Sequence, residues 1–418
     1  MKRIVVRGPA LSRSGYGEQT RFALRSLRKH EHEKFDIYLI NLNWGKTGWI
    51  PEDTEERRWI DTLIIKTAQF IESKGTFDAS LQVTIPNEWE PLAPVNIGYT
   101  AGTESTKISP EWFQKILEMD SVIVPSHHSK ASFENTTFDV KNEQTGEVHN
   151  NFKCSDETPI TVVNFPVREY EPAKMEGLDF DTDFNFLTVA QWGPRKNIKD
   201  TITWFVEEFV DQEVGLVLKV STKCDSIIDR HYTKKRIKNI LENYPDRKCK
   251  VYLLHGSLTE EEMTAVYTHP KIKALVSVSH GEGFGLPIFE AAHNGLPVVC
   301  PAWSGQCDFM FAPKKDKKGK VKNKAHFTKV AYDIKPVSDK DIWEPIITKG
   351  SMWCYPSQGS FKMKLREVFK NYDRCKKQAK TLQKHILKNF KAEDKYDEIV
   401  KVVTDCLPET PQEEVFVI

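Results

Sequence analysis

No stretch of about 18 apolar residues occurs in the 418-residue chain, so no segment reads as a membrane-spanning helix. The opening run Met1-Lys2-Arg3-Ile4-Val5-Val6 enters a strand pattern at once and leaves no room for a signal peptide, so the expected location is the cytoplasm. Paired cysteines are missing as well. The eight cysteines, at 154, 224, 249, 300, 307, 354, 375 and 406, form no C-x-x-C pair and have no histidine at zinc spacing, which argues for reduced thiols rather than disulfides or a zinc site. Neither sign of charge dominates: 60 Lys and Arg face 59 Asp and Glu, so there is no global pull toward nucleic acid. Internal repeats and low-complexity tracts are also lacking. What is present is an apolar fraction of 39% in a chain longer than one hydrophobic core usually supports, which predicts two domains.

Strand-like runs alternate with helical patterns from end to end, the signature of an α/β chain with parallel sheets and crossover helices. Strands are expected near 3–7, 35–40, 81–85, 96–100, 121–125 and 161–165, then near 184–190, 215–220, 250–255, 274–279 and 297–301. Between the two series lies a polar stretch, 168–183, with Pro172, Gly177 and several acids, which reads as a linker. The expected architecture is two Rossmann-like domains, 1–168 and 184–385, facing a central cleft. Residues 386–418 are read as a C-terminal helix and tail that packs back on the first domain. In such folds ligands bind at the C-terminal ends of the strands.

The most informative segment is 274–292. Ala274 to Ser279 reads as a buried strand, His280-Gly281-Glu282-Gly283-Phe284-Gly285 as a tight turn, and the residues from Leu286 as a helix start. Glycines let the backbone approach a ligand, and the helix N-terminus aims free N–H groups at an anion, which makes a phosphate seat. Glu282 in the turn and Glu290 about two helical turns later place two carboxylates along one side of a bound molecule at different depths. A dinucleotide fingerprint would not carry Glu282 inside its phosphate turn, and it would open its βαβ unit rather than lie deep in the chain. A second glycine turn, 8–18, follows the first strand, and Gly15 and Gly17 free the backbone where the next helix begins.

The run Glu282-Gly-Phe-Gly-Leu-Pro-Ile-Phe-Glu290, followed by Asn294-Gly295-Leu296-Pro297-Val298-Val299, resembles the E-x7-E signature of retaining, family-4-type glycosyltransferases of the GT-B fold. The segment 86–104 looks most like members encoded by bacteriophages, which would place the chain in the host cytoplasm. The resemblance implies that Glu282 lies against the donor sugar, that the amides of Gly283, Phe284, Gly285 and Leu286 meet sugar and phosphate, and that Glu290 binds the ribose. It implies that Gly15 and Gly17 approach the donor diphosphate across the cleft, and that Ser257 and Leu258 hold the edge of the base. Lys196 falls on the family lysine that stabilises the departing diphosphate. Gln191 stands where the family usually has arginine, so either Arg195 substitutes for it or binding leans on Lys196 and amides. The second domain would then hold the donor and the first the acceptor, with a nucleoside diphosphate sugar as donor substrate, no cofactor and no metal. Asp181-Thr182-Asp183 matches a D-x-D pattern but precedes a strand, where it reads as solvated acid.

Glu104, delivered by a strand ending in Tyr99-Thr100, is the candidate from the acceptor side and completes the expected catalytic set with Glu282 and Lys196. Where many relatives place a histidine, this chain offers Thr103 and Glu104; His127 and His128 stand near the same wall. Two polar insertions, 141–158 and 313–324, read as loops or hairpins. The second carries the basic run 314–324, and 374–391 is Lys-rich at helical spacing. Such runs are solvated faces or contacts to a polyanion. The basic runs and the phage-like segments favour hydroxymethylated DNA as the acceptor, whereas the near-neutral net charge favours a glycan, a protein or a small molecule. A non-catalytic nucleotide-sugar-binding module would be expected to lose Glu282, Glu290 or Lys196, and all three are present.

Overall fold

The computed structural model describes residues 1–141, 146–315 and 319–408. Runs such as Ile4-Val5-Val6 and Leu216-Val217-Leu218 are buried on both sides, so their strands need helices over each face and pair in parallel. Two six-stranded sheets result, parallel throughout. The first runs, edge to edge, Phe35–Asn41, Lys2–Gly8, Ala79–Gln82, Val95–Tyr99, Ser121–Val124, Ile160–Val162. The second runs Lys250–Leu253, Gly215–Ser221, Asn185–Gln191, Ile272–Val276, Val298–Pro301, Thr328–Val330. In each sheet the chain works outward from its first strand in one direction, then returns and works outward in the other. The point of return leaves a crevice beyond the strand ends, where α/β folds bind ligands.

The expected strands are found, with small shifts. The strand expected near 81–85 is Ala79–Gln82, because the chain leaves the sheet for a short 3-10 turn at Pro86–Glu88. The sixth strand of the second sheet, Thr328–Val330, was not expected; three residues are too few for a pattern to show. The two insertions are antiparallel hairpins, Phe138–Lys141 with Val148–Phe152 and Phe311–Lys315 with Val321–Ala325. Residues 142–145 and 316–318 of those insertions, and 409–418 of the tail, lie outside the described residues. A third hairpin, Tyr332–Pro336 with Met352–Pro356, was also unforeseen.

The stretch 163–184 contains no strand or helix. Helix Tyr372–Asn389 buries Cys375, Ala379, Leu382 and Ile386 on one face, packs on helix Leu286–His293 and turns its lysines outward. The last helix, Ala392–Cys406, lies on helix Gly15–Arg28 of the first sheet, with Lys29 bonded to Glu393 and Asp397, each at 2.8 Å. Behind the crevice the halves share one core: Phe22 meets Phe165 at 5.7 Å between ring centroids, Phe165 meets Phe284 at 5.2 Å, and Phe289 meets Phe390 at 5.5 Å.

Candidate active site

Asn185–Gln191 and Ile272–Val276 are neighbours at the point of return in the second sheet, so the segments that follow them share one crevice. After the first strand comes the 3-10 turn Pro194–Lys196; after the second comes the loop 277–285 and helix Leu286–His293. Gly285, at the helix N-cap, has φ +93°, a left-handed conformation that favours glycine. Gly281 and Gly283 serve a different need. A Cβ on them would stand 2.1 Å from the Glu104 carbonyl oxygen and 2.6 Å from that of Ala101. Their smallness therefore lets the first half press its 101–104 segment onto the loop, a role that sequence reading had given to a ligand alone. Ser126 Oγ donates to the Gly283 carbonyl at 2.6 Å and seals the same contact.

Four charged side chains meet where the halves touch. Lys196 Nζ donates to both oxygens of Glu282 at 2.6 Å, and Arg195 bonds Glu282 at 3.3 Å and Glu104 at 2.9 Å. Arg195 also donates to the Gly281 carbonyl. Burial alone would raise the Glu282 carboxyl, but Lys196 and Arg195 outweigh it and hold the group below the usual carboxylate range. Burial pulls the Lys196 ammonium down, with Glu282 opposing. The backbone of Glu282 is pinned from the next turn: its N–H donates to Ser304 Oγ at 2.9 Å, Ser304 Oγ donates to Gln306, and its carbonyl accepts from Gly305 N–H at 2.9 Å. Gln191 is exposed and bonds the Lys223 carbonyl at 3.1 Å, so Arg195, not Gln191, stands in the cluster. The structure thus brings Glu104, Arg195, Lys196 and Glu282 together.

Glu290 belongs to another neighbourhood. Tyr267 donates to it at 2.7 Å, and its pKa rises to about 8 through burial first, then through the carboxylates of Glu260 and Glu18. Glu18 itself is ionised, for Arg25 at 2.7 Å, Arg21 at 3.0 Å and Arg168 at 3.4 Å outweigh its burial. Tyr267, Glu260 and Glu18 lie far from Glu290 in sequence, and no local pattern announces them. Glu290 and Glu282 share no charged neighbour among those that shift them.

Glu260 opens the helix after the 255–258 turn, whose carbonyls are held by cations: Arg13 donates to that of Leu258 at 2.7 Å and Lys219 to that of Gly256 at 2.6 Å. Burial, with Arg13 nearby, brings the Lys219 pKa down to about 8. Ser257 Oγ donates to Asp225 at 2.6 Å. Thr259 and Glu262 form the expected capping box. Arg13, within the first glycine turn, and Lys219, within a strand, were missed because the carbonyls they reach are distant in sequence. Of the histidines, His127 pairs with Asp308 at 2.9 Å and ties the halves, while His128 is packed edge-on against Trp303 at 4.8 Å with its pKa pulled to about 4 by burial. Asp183 is exposed in the linker, and among the described residues no group of three or more His, Cys, Asp or Glu is placed to hold a metal ion.

The first glycine turn separates its two glycines. Ser14 caps helix Gly15–Arg28 by accepting from Gly17 N–H at 3.0 Å, and a Cβ on Gly17 would lie 1.9 Å from the Ser12 carbonyl oxygen, whereas Gly15 faces open space. Gly17→Ala should therefore lose about 1–3 kcal/mol of stability by overpacking, and Gly15→Ala should stay within about 0.5 kcal/mol of the parent in urea melts. Equal melts would show that Gly17 is not needed for packing.

No family model matches the chain. Over 118 residues, 28% of the chain, it is 30% identical to the serotype-specific mannosyltransferase WbdA of Escherichia coli; the stretch is 13% of that protein, so the chain spans only a small part of the curated relatives it matches. Solved structures cover far more of it. The sucrose-phosphate synthase of Thermosynechococcus elongatus aligns over 97% of this chain and 99% of its own, with TM-score 0.61 and 12% identity. A glycosyltransferase of Rickettsia africae aligns over 98% and 99%, with TM-score 0.58 and 12% identity. HepE of Anabaena, solved with UDP and glucose, aligns over 97% and 100%, with TM-score 0.56 and 11% identity. The fold is GT-B, two Rossmann-like halves facing a cleft.

Proposed function

We propose that the chain is a retaining glycosyltransferase, which moves a sugar from a nucleoside diphosphate sugar to an acceptor hydroxyl. The observation that carries this reading is the Glu104–Arg195–Glu282–Lys196 cluster, set at the return point of the second sheet beside a glycine loop and a helix N-terminus. The mannosyltransferase named among its relatives and the UDP bound by one structural neighbour support it. So does the complete set of Glu282, Glu290 and Lys196, against a mere binding module.

In this reading the donor diphosphate takes the start of helix Leu286–His293, Glu290 takes the ribose, and the base reaches the 255–258 turn. Lys196 and Arg195 face the leaving diphosphate, whose charge grows as the bond from the sugar C1 to phosphate oxygen breaks. Glu282 orients the sugar. The acceptor oxygen attacks C1 on the same face, and its proton passes to an oxygen of the departing diphosphate, so no separate nucleophile or base is required. Glu104, reaching from the first half, positions Arg195 and lines the acceptor side. In a second reading the acceptor is a hydroxymethylated base of DNA, favoured by the exposed Lys314, Lys315, Lys320, Lys322 and Lys324 of the second hairpin.

A screen of UDP-, GDP-, ADP- and dTDP-sugars for donor hydrolysis and thermal stabilisation tests the proposal. One donor should be consumed slowly in water and raise the melting temperature. Stabilisation with no consumption, with or without added acceptors, would leave a binding module.

A further inference from the structure

Helix Ile227–Leu241 presents the most exposed isoleucines among the described residues. Ile227 is 76% exposed, Ile228 73% and Tyr232 63%. Ile228 and Tyr232 are four residues apart and so share a face. Exposed apolar residues scattered singly need no explanation, but adjacent isoleucines at one helix start do. The same helix carries Arg230, Lys234, Lys235, Arg236 and Lys238 against one carboxylate, Asp229. That carboxylate is turned inward, accepting from the backbone N–H groups of Thr222 and Lys223 and meeting His255 at 2.8 Å. Arg236 lies over Trp192, while Arg230, Lys234, Lys235 and Lys238 face solvent.

The helix starts at the lip of the crevice. Asp225, two residues before Ile227, lies against Gly48 of the first half, where a Cβ would stand 3.0 Å from its carboxylate. Trp49 follows Gly48 and is 49% exposed, with Lys46 and Lys223 exposed nearby in sequence. Apolar side chains from both halves thus flank the mouth of the cleft, with cations around them.

We propose that this lip docks the chain onto an anionic lipid bilayer, with Ile227, Ile228, Tyr232 and Trp49 in the interfacial layer and the cations on headgroup phosphates. Charge complementarity selects an anionic surface, and the isoleucine pair selects one with an apolar layer, which a nucleic acid backbone does not offer. Among the described residues no helix is long and apolar enough to cross a membrane, so this docking is peripheral. Docked this way the cleft opens against the bilayer. On the transfer reading above, the acceptor hydroxyl then belongs to a membrane-borne molecule.

The test is co-sedimentation of the full chain with vesicles of phosphatidylcholine, alone or mixed with phosphatidylglycerol. Binding should require phosphatidylglycerol and weaken with salt. Ile227→Ser with Ile228→Ser should reduce it about tenfold or more, and Lys234→Ser with Lys235→Ser several-fold, while melting temperature and donor hydrolysis in solution stay at parental values. No binding to the mixed vesicles, or binding indifferent to the isoleucines, overturns the proposal. So does binding of duplex DNA that falls with the lysine changes while vesicles are ignored; that result would favour the DNA acceptor. Vesicle binding without consumption of any nucleoside diphosphate sugar would leave the docking standing and remove the transfer reading, and the reverse pair of results would do the opposite.

Discussion

Lys196→Ala should slow turnover by about two orders of magnitude, the usual cost of losing one preorganised electrostatic stabiliser. The same change leaves Glu282, which is 7% exposed, with only the 3.3 Å ion pair to Arg195, and breaking a buried pair from one side destabilises a fold in its own right. Two variants separate these effects. Glu282→Gln removes the charge that Lys196 neutralises, so the Lys196→Ala, Glu282→Gln double variant should regain much of the stability lost by Lys196→Ala but none of the turnover. Arg195→Ala should cost less turnover than Lys196→Ala, because Arg195 spends its contacts on Glu104, the Gly281 carbonyl and only a 3.3 Å contact to Glu282. Single-turnover rates with urea melts check each arm. A double variant that recovers both stability and rate would reduce Lys196 to a structural partner of Glu282.

Much of this cluster was legible because strand, turn and helix follow one another locally. The 274–292 segment shows its period change and its glycines within twenty residues, and 184–198 repeats the pattern. Glu104 was reached from a polar, glycine-rich strand end, and the structure sets it 2.9 Å from Arg195. What stayed hidden depends on distant pairing. Nothing near Gly281 or Gly283 says that the backbone of residues 101–104 will lie on them, since that needs both sheets docked. Tyr267 and Glu260 reach Glu290 from a helix that begins thirty residues earlier, and His127 finds Asp308 from the other half. The strand Thr328–Val330 is recognised only by its partner Val298–Pro301. Nothing in the local pattern around Ile227 and Ile228 says that both will be exposed, for that depends on which face of their helix the second sheet covers.

Glu290→Gln should make the protein more stable and a worse binder at alkaline pH. Burial and the nearby carboxylates of Glu260 and Glu18 raise the Glu290 pKa from 4.5 to about 8, so the folded state disfavours its ionised form. A raised carboxyl contributes stability that is complete below its unfolded pKa and is lost as pH rises through the folded one. The parent should accordingly lose stability between about pH 4.5 and pH 8 relative to the glutamine variant, which does not titrate but still accepts from Tyr267. At about 1.4 kcal/mol per pH unit the difference is at most ~5 kcal/mol, several degrees of melting temperature at pH 9 and little at pH 5. Ribose hydroxyls donate best to a carboxylate, so the parent should bind a nucleoside diphosphate more tightly as pH climbs through about 8. The variant should bind it about 10- to 100-fold more weakly there, with a flat pH profile, for the loss of a charge-assisted bond worth about 1.5–3 kcal/mol. Melts from pH 5 to pH 9 and calorimetric titrations over the same range read both halves. A variant that is less stable at pH 9 would show that Glu290 is not strained in its site, and unchanged affinity would remove it from the ribose.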